Sequence, residues 1–379
     1  MVIEALDDVP WEQLEAATEH YPAEEMPRVL RRLALKGGAA TEEDQYPLFD
    51  CFALGTGRIT SVATAALPFV VALAGDPDMG ARVTLVQLLT GLAKTAAEAG
   101  PGLVDAGWHE AWQRQRSRMR ALLADPRPEI RRDALPLAEG VGELLERWHA
   151  VAHPAVRLPA LLALGEAADR SDDAGVKDRV RAVVAEVVRT GGPVMQVAAV
   201  CAWAAFDSVA PVREQELLVE ILSDPAVRPQ FEAVWYVPDV DGPHTREDVV
   251  SWAAYLLEDA PRTRLSFVVR LIRAARRTGD TLLCRAALDE GWRLLVVRPS
   301  AASALLPLAG ALLTDPDDGV RYRAAHLLAV LGARAAPYVD RLAELLDDAG
   351  ETGCGRAVVD HRRAGAECVR SGGIRASPR

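Results

Sequence analysis

The sequence predicts an all-α protein, built as a right-handed solenoid of stacked antiparallel helix pairs. Three observations carry that expectation. Apolar residues recur at helical spacing through most of the 379 residues. No run alternates apolar and polar side chains with period two, and no Asn-Gly pair marks a hairpin. The turns between helices repeat one chemistry at intervals of tens of residues, as stacked helix pairs do. Residues 1–350 hold about seven or eight such pairs.

Each element has a local reason. Met26, Val29, Leu30 and Leu33 share one helical face, and Gly37-Gly38 stops that helix. Thr41 is placed to cap the next, with Asp44 three residues on. Asp78 is expected to cap a long helix carrying Val83, Val86, Leu89 and Leu92. Amphipathic stretches then predict helices near 103–124, 127–150, 154–168, 174–190, 193–207, 211–223, 248–259, 261–278, 280–297, 300–314, 317–332 and 335–348. The pairs Val187-Val188 and Val296-Val297 sit in helical frames and read as helix.

Four turns share an Asp-Pro step: Leu73-Ala74-Gly75-Asp76-Pro77, Leu122-Leu123-Ala124-Asp125-Pro126, Ile221-Leu222-Ser223-Asp224-Pro225 and Leu312-Leu313-Thr314-Asp315-Pro316. Aspartate accepts hydrogen bonds from the unpaired N–H groups of a first helical turn. Proline suits the first helical position, where its missing N–H has no partner. After three of the turns comes an apolar or small residue followed by arginine: Ala81-Arg82, Ile130-Arg131 and Val320-Arg321. His153-Pro154-Ala155-Val156-Arg157 is a compressed version, with His153 in the cap position.

Residues 315–348 form the fullest unit, and they closely resemble a HEAT repeat. The shared features are Asp315-Pro316, an acidic turn, Val320-Arg321, an Ala/Leu-rich helix ending in Leu331-Gly332, and a second helix with Pro337 near its start. Residues 153–169 match through Pro154, Val156-Arg157 and Leu162-Ala163-Leu164-Gly165. The stretch from Val9-Pro10-Trp11 to Ala66-Leu67-Pro68-Phe69-Val70 is similar to the opening of HEAT-repeat proteins of GC-rich bacteria. The resemblance covers most of 10–348. It implies that Val320 is core and that Arg321 bonds an acidic turn residue such as Asp318, or a neighbouring repeat. It also implies an extended protein-binding surface, serving a scaffold, adaptor or inhibitor. HEAT-like arrays include enzymes too, the DNA alkyl-base glycosylases and phycobilin lyases, which make the alternative reading.

Charge and composition narrow the classes. The net charge is −11 and the pI about 5.3, against a dedicated nucleic-acid binder. No stretch reaches the ~20 apolar residues of a spanning helix. The N-terminus lacks a signal-like apolar core, so a cytoplasmic protein is expected. Cys51, Cys201 and Cys284 sit in apolar helical segments and read as core residues. The segment 351–379 contains no leucine and carries six arginines against Glu351, Asp360 and Glu367. It is expected to be a disordered Arg/Gly-rich tail, or the product of a frameshift near codon 350.

No motif for a known chemistry is present, and neither a catalytic residue nor a cofactor is assigned. Residues 225–247 break the rhythm with Pro225, Pro229, Pro238 and Pro243, and are expected to project as an insertion bearing Trp235 and Tyr236. Asp241 and His244 in the same insertion join them as candidate partner-binding residues. Arg270, Arg273 and Arg277 share a face of the 261–278 helix and complete the candidate surface, for an unidentified protein. A second basic stripe runs from Arg114 to Arg132. His149 and His153, four apart, would bind zinc if they shared a helix, but Pro154 marks a boundary. Cys354, His361 and Cys368 have no ligand spacing. Trp108 and Trp112 read as core or groove.

Overall fold

The computed structural model describes residues 2–16, 18, 21–52, 56–138, 140–235 and 245–345. Among these residues the regular elements are helical, and β-pairing is confined to two isolated bridges, Thr18 with Tyr21 and Ile59 with Val104. The expected tail, 351–379, lies outside them. The chain divides into two compact units, 1–176 and 177–379.

The first unit contains α1 (Met26–Lys36), α2 (Tyr46–Phe52), α3 (Ser61–Gly75), α4 (Arg82–Glu98), α5 (Trp108–Leu122), α6 (Pro128–Asp133), α7 (Val141–Ala150) and α8 (Pro154–Asp169). Each helix packs on its chain neighbour or on the helix two further on: α3 on α4 and α5, α4 on α6, α6 on α8, and α7 on α8. Leu6 and Trp11 close the N-terminal end. The Trp11 indole Nε1 donates to the Leu6 carbonyl at 2.8 Å, and its ring lies 6.3 Å from Phe69. The Thr41 cap forms as expected, with the Asp44 carboxylate accepting from the Thr41 N–H at 2.9 Å. Lys36 bonds the same carboxylate at 2.5 Å. That bond and the Thr41 N–H hold the Asp44 pKa down to about 2.

The division falls within α9 (Ala174–Thr190), most of which belongs to the second unit. That unit also contains α10 (Pro193–Phe206), α11 (Ala210–Arg213), α12 (Gln215–Leu222), α13 (Arg228–Val234), α14 (Arg246–Leu256), α15 (Pro261–Thr278), α16 (Thr281–Val297), α17 (Ala302–Leu312), α18 (Asp318–Leu331) and α19 (Val339–Glu344). The same rule holds from α14 onward: α14 packs on α15 and α16, α15 on α16 and α17, and α18 on α16 and α17. Before it the contacts reach further, α12 packing on α15 as well as α14, and α10 on α13 and α14.

Several expectations need correction. Residues 127–150 are two helices, because Pro136 lacks the N–H that would continue the ladder. The break ends at Gly140, whose φ of 121 favours glycine. The stretch 335–348 gives a 3-10 segment, Gly332–Tyr338, followed by the short α19. Asp78 caps nothing, since α4 begins only at Arg82.

The Asp-Pro turns do share one geometry, but a different one from a helix cap. In all four, the aspartate Oδ1 accepts from the N–H two residues on. The distances are 3.0 Å at Asp76, 2.9 Å at Asp125, 2.9 Å at Asp224 and 3.0 Å at Asp315. This local Asx turn outcompetes direct capping, so three of the four helices begin later than the proline. Only Asp224 also stands at a helix start, before the 3-10 turn Pro225–Val227. In the turns at Asp125 and Asp315 the arginine six residues after Asp then grips the turn's own carbonyls. Arg131 Nη1 donates to Asp125 O and Pro126 O at 2.6 and 2.9 Å, and Arg321 Nη1 to Asp315 O and Pro316 O at 2.8 and 2.9 Å.

Arginine–aspartate rungs join helices two apart. Arg82, at the start of α4, bonds Asp125 in the turn before α6. Arg246 in α14 reaches Asp280, which caps α16, at 2.8 Å. Arg285 in α16 grips both oxygens of Asp317, which caps α18, at 2.6–2.9 Å. Burial works to raise the Asp317 pKa, but the bonds from Arg285 and the Val320 N–H outweigh it and hold the group below its ordinary value. Gly319 makes room for this rung, because a Cβ there would stand 2.5 Å from the Arg285 guanidinium.

Two predictions follow from this packing. The Arg82 and Asp125 side chains are 3% and 9% exposed, so Asp125→Ala strands a buried guanidinium. The substitution is expected to cost about 3–5 kcal/mol in denaturant unfolding, and the apolar pair Arg82→Met/Asp125→Leu to recover most of it. Cys51, Cys201 and Cys284 are buried. Burial raises all three thiol pKa values, Cys51 to about 11 and Cys284 to about 12. Mass-spectrometric mapping after iodoacetamide treatment at pH 8 should therefore find these three unmodified in the native protein and modified in guanidinium.

Candidate functional site

The residues singled out around the proline-rich stretch separate. Trp235 does not project. It is 6% exposed and stacks on Phe231, with ring centroids 5.4 Å apart and planes 15° apart. Its edge meets Trp252 of α14 at 6.2 Å. The expectation of Trp235 as an exposed partner contact is therefore corrected. The physical reason is the spacing Val227, Phe231, Trp235: three large apolar residues four apart make one helical stripe, and all three are buried. Tyr236, Asp241 and His244 lie outside the described residues. Glu247 and Asp248, beyond them, serve structure. Glu247 pairs with Arg246 at 2.6 Å, and Asp248 completes a capping box with Thr245.

Other candidates also resolve into structural roles. His149 ends α7 and His153 precedes α8, so they share no helical face, and His153 makes no side-chain cap bond. No group of three or more His, Cys, Asp or Glu among the described residues is placed to hold a metal ion. Trp108 is buried and lies 5.3 Å from Trp112. The stripe from Arg114 to Arg132 is committed within the molecule over its second half, while Arg114, Arg116 and Arg118 are exposed on α5. Arg120 bonds Glu143 at 2.5 Å, Arg127 bonds Glu129 at 2.9 Å, Arg131 holds carbonyls, and Arg132 pairs with Asp133.

The 261–278 helix is different. α15 contains six arginines and no acidic residue. Arg264 turns inward to Glu290 at 3.2 Å. Arg270 pairs with Glu216 of α12, which holds the Glu216 pKa below its ordinary value. Arg262, Arg273, Arg276 and Arg277 are exposed, with no acidic partner among the described residues. At 3.6 residues per turn, Arg262, Arg273 and Arg277 fall within about 60° of one another. Arg270 flanks them on one side and Arg276 on the other.

This arrangement works against the helix. Arg273 and Arg277 are four apart, and Arg270–Arg273 and Arg273–Arg276 three apart, so like charges face each other along one strip. Only Arg276 and Arg277, in the last turn, gain from the negative end of the helix dipole.

The sequence reading missed a second surface feature. Trp252 on α14, Trp292 on α16, and Tyr322 and His326 on α18 are half-buried on three successively packed helices. Trp292 stacks on His326 at 5.1 Å, and His326 on Tyr322 at 6.0 Å. The signal was present in the spacing of Trp252, Trp292 and His326, which follows the helix-pair period.

No protein-family model matches the chain, and no curated protein matches it. Among solved structures, a crystal structure of an engineered protein is similar over 92% of this chain and 92% of its own, at 15% identity and a TM-score of 0.34.

The unpaired strip predicts a trade between stability and function. Arg273→Glu replaces three weak repulsions with attractions to Arg270, Arg276 and Arg277. It is expected to stabilise the protein by about 0.5 kcal/mol in urea unfolding at low salt. The gain should shrink in 1 M NaCl, where the charges are screened.

Proposed function

We propose that this chain is a HEAT-like α-solenoid that binds a protein partner as a scaffold, adaptor or inhibitor, with no chemistry of its own. The Asp-Pro turns, the arginine six residues on and the packing of helices two apart support the solenoid reading within each unit. The observation that carries the function is the α15 strip. Four exposed guanidiniums are kept together on one helix without a carboxylate, at a cost to that helix. A surface under no binding constraint has simpler solutions, such as the mixed charge of α16, where Arg285 and Arg293 sit with Asp289 and Glu290. The nucleic-acid reading loses support because Arg120, Arg127, Arg131 and Arg132 of the second stripe are occupied internally.

Affinity capture from the source cells, with cross-linking and mass spectrometry, tests this reading. A stoichiometric protein partner is expected. Failure to recover any partner across growth conditions would overturn the reading, as would an activity retained by the purified chain alone.

A further inference from the structure

α15 does not stand alone at the surface. α17 also packs on it, and α17 carries no charged residue. Its outward positions are Ser303, Pro307 and Ala311, with Leu306 half-buried. A row of guanidiniums therefore borders a neutral, mostly apolar helix. From Arg262 to Arg277 the row runs about 22 Å, the length of four turns of a helix.

We propose that this pair of helices docks an acidic amphipathic polypeptide segment, helical when bound, with carboxylates on the arginines and apolar side chains on α17. The inference rests on the protein-binding reading above and adds the partner's chemistry to it. Charge complementarity selects an anion, because the strip offers guanidinium donors that no carboxylate among the described residues satisfies. Two further observations select a polypeptide over a nucleic acid. The chain's net charge of −11 repels a long polyanion outside the strip. The exposed face of α15 also lacks any aromatic ring on which a base would stack. An amphipathic helix satisfies both halves of the surface at once: its acidic face covers the arginines, and its apolar face loses water against Leu306, Pro307 and Ala311.

Fluorescence anisotropy with the full chain tests this at 50 and 300 mM NaCl. The probes are a labelled 14-residue peptide with glutamates on one helical face and leucines on the other, a scrambled peptide of identical composition, and a single-stranded oligonucleotide of equal charge. The patterned peptide should bind at least tenfold more tightly than either control. Arg273→Glu/Arg277→Glu should weaken it at least tenfold. Ala311→Glu should weaken it several-fold, with circular dichroism and Tm showing both variants folded. Equal binding of the two peptides reduces the strip to a nonspecific cation patch and overturns the proposal. Tighter binding of the oligonucleotide overturns it in favour of nucleic acid, and indifference to the arginine reversals overturns the location. A cellular partner whose capture survives the arginine reversals would sink this inference while leaving the protein-binding reading intact.

Discussion

Ion pairs between an arginine on one helix and an aspartate at the start of the helix two further on set the packing of each unit. The buried helices offer little else that is directional. α10 is Pro193–Phe206 with no charged residue, and α3 is uncharged from Ser61 to Gly75. Apolar burial supplies the driving force but is non-directional, so such helices could slide or rotate at small cost. A guanidinium held by a fixed carboxylate removes that freedom. Because burying both charges is itself expensive, the rungs contribute more to register than to net stability. Gly319 shows how tightly the geometry is drawn, since the Arg285 rung occupies the volume that a side chain there would fill.

The all-helical class and its packed helix pairs were legible in the sequence because amphipathic helices declare themselves by spacing. The long helices α9, α15 and α16 fall close to where periodicity puts them. What escaped depended on competition between local bonds or on distant partners. Aspartate next to proline suggests a helix cap, yet its carboxylate bonds only two residues ahead, and the helix waits. Nothing in the local pattern reveals that Arg82 will find Asp125, forty-three residues away. Trp235 illustrates the opposite failure. Its four-residue register with Phe231 and Val227 was visible, but the surrounding prolines suggested an irregular projecting segment. Proline at the first turn of a short helix is no barrier, and α13 begins with Arg228-Pro229.

The candidate site was legible in part. A run of arginines with no acid is plain in 261–278, but its meaning depends on which neighbours supply carboxylates. The Arg114–Arg132 stripe looks equivalent in the sequence, yet Arg120, Arg127 and Arg132 find carboxylates in the folded chain. In α15, Arg264 and Arg270 find Glu290 and Glu216, while four others find none among the described residues. The contrast between two similar sequences therefore comes from what packs beside them. That is tertiary information, and it turns a count of charges into a surface with a sign.

The skipping pattern of the rungs also limits how such a chain can change length. Arg246 of α14 and Arg285 of α16 reach past α15 and α17 to the caps of α16 and α18. Excising a single helix would reverse the direction of everything downstream and bring the wrong end of a helix to each arginine. Excising two restores direction and delivers an equivalent capping aspartate to the same place. Insertions and deletions that preserve the fold must therefore come in helix pairs, so the minimal heritable module is the span between successive rungs, Arg246 to Arg285, rather than any single helix.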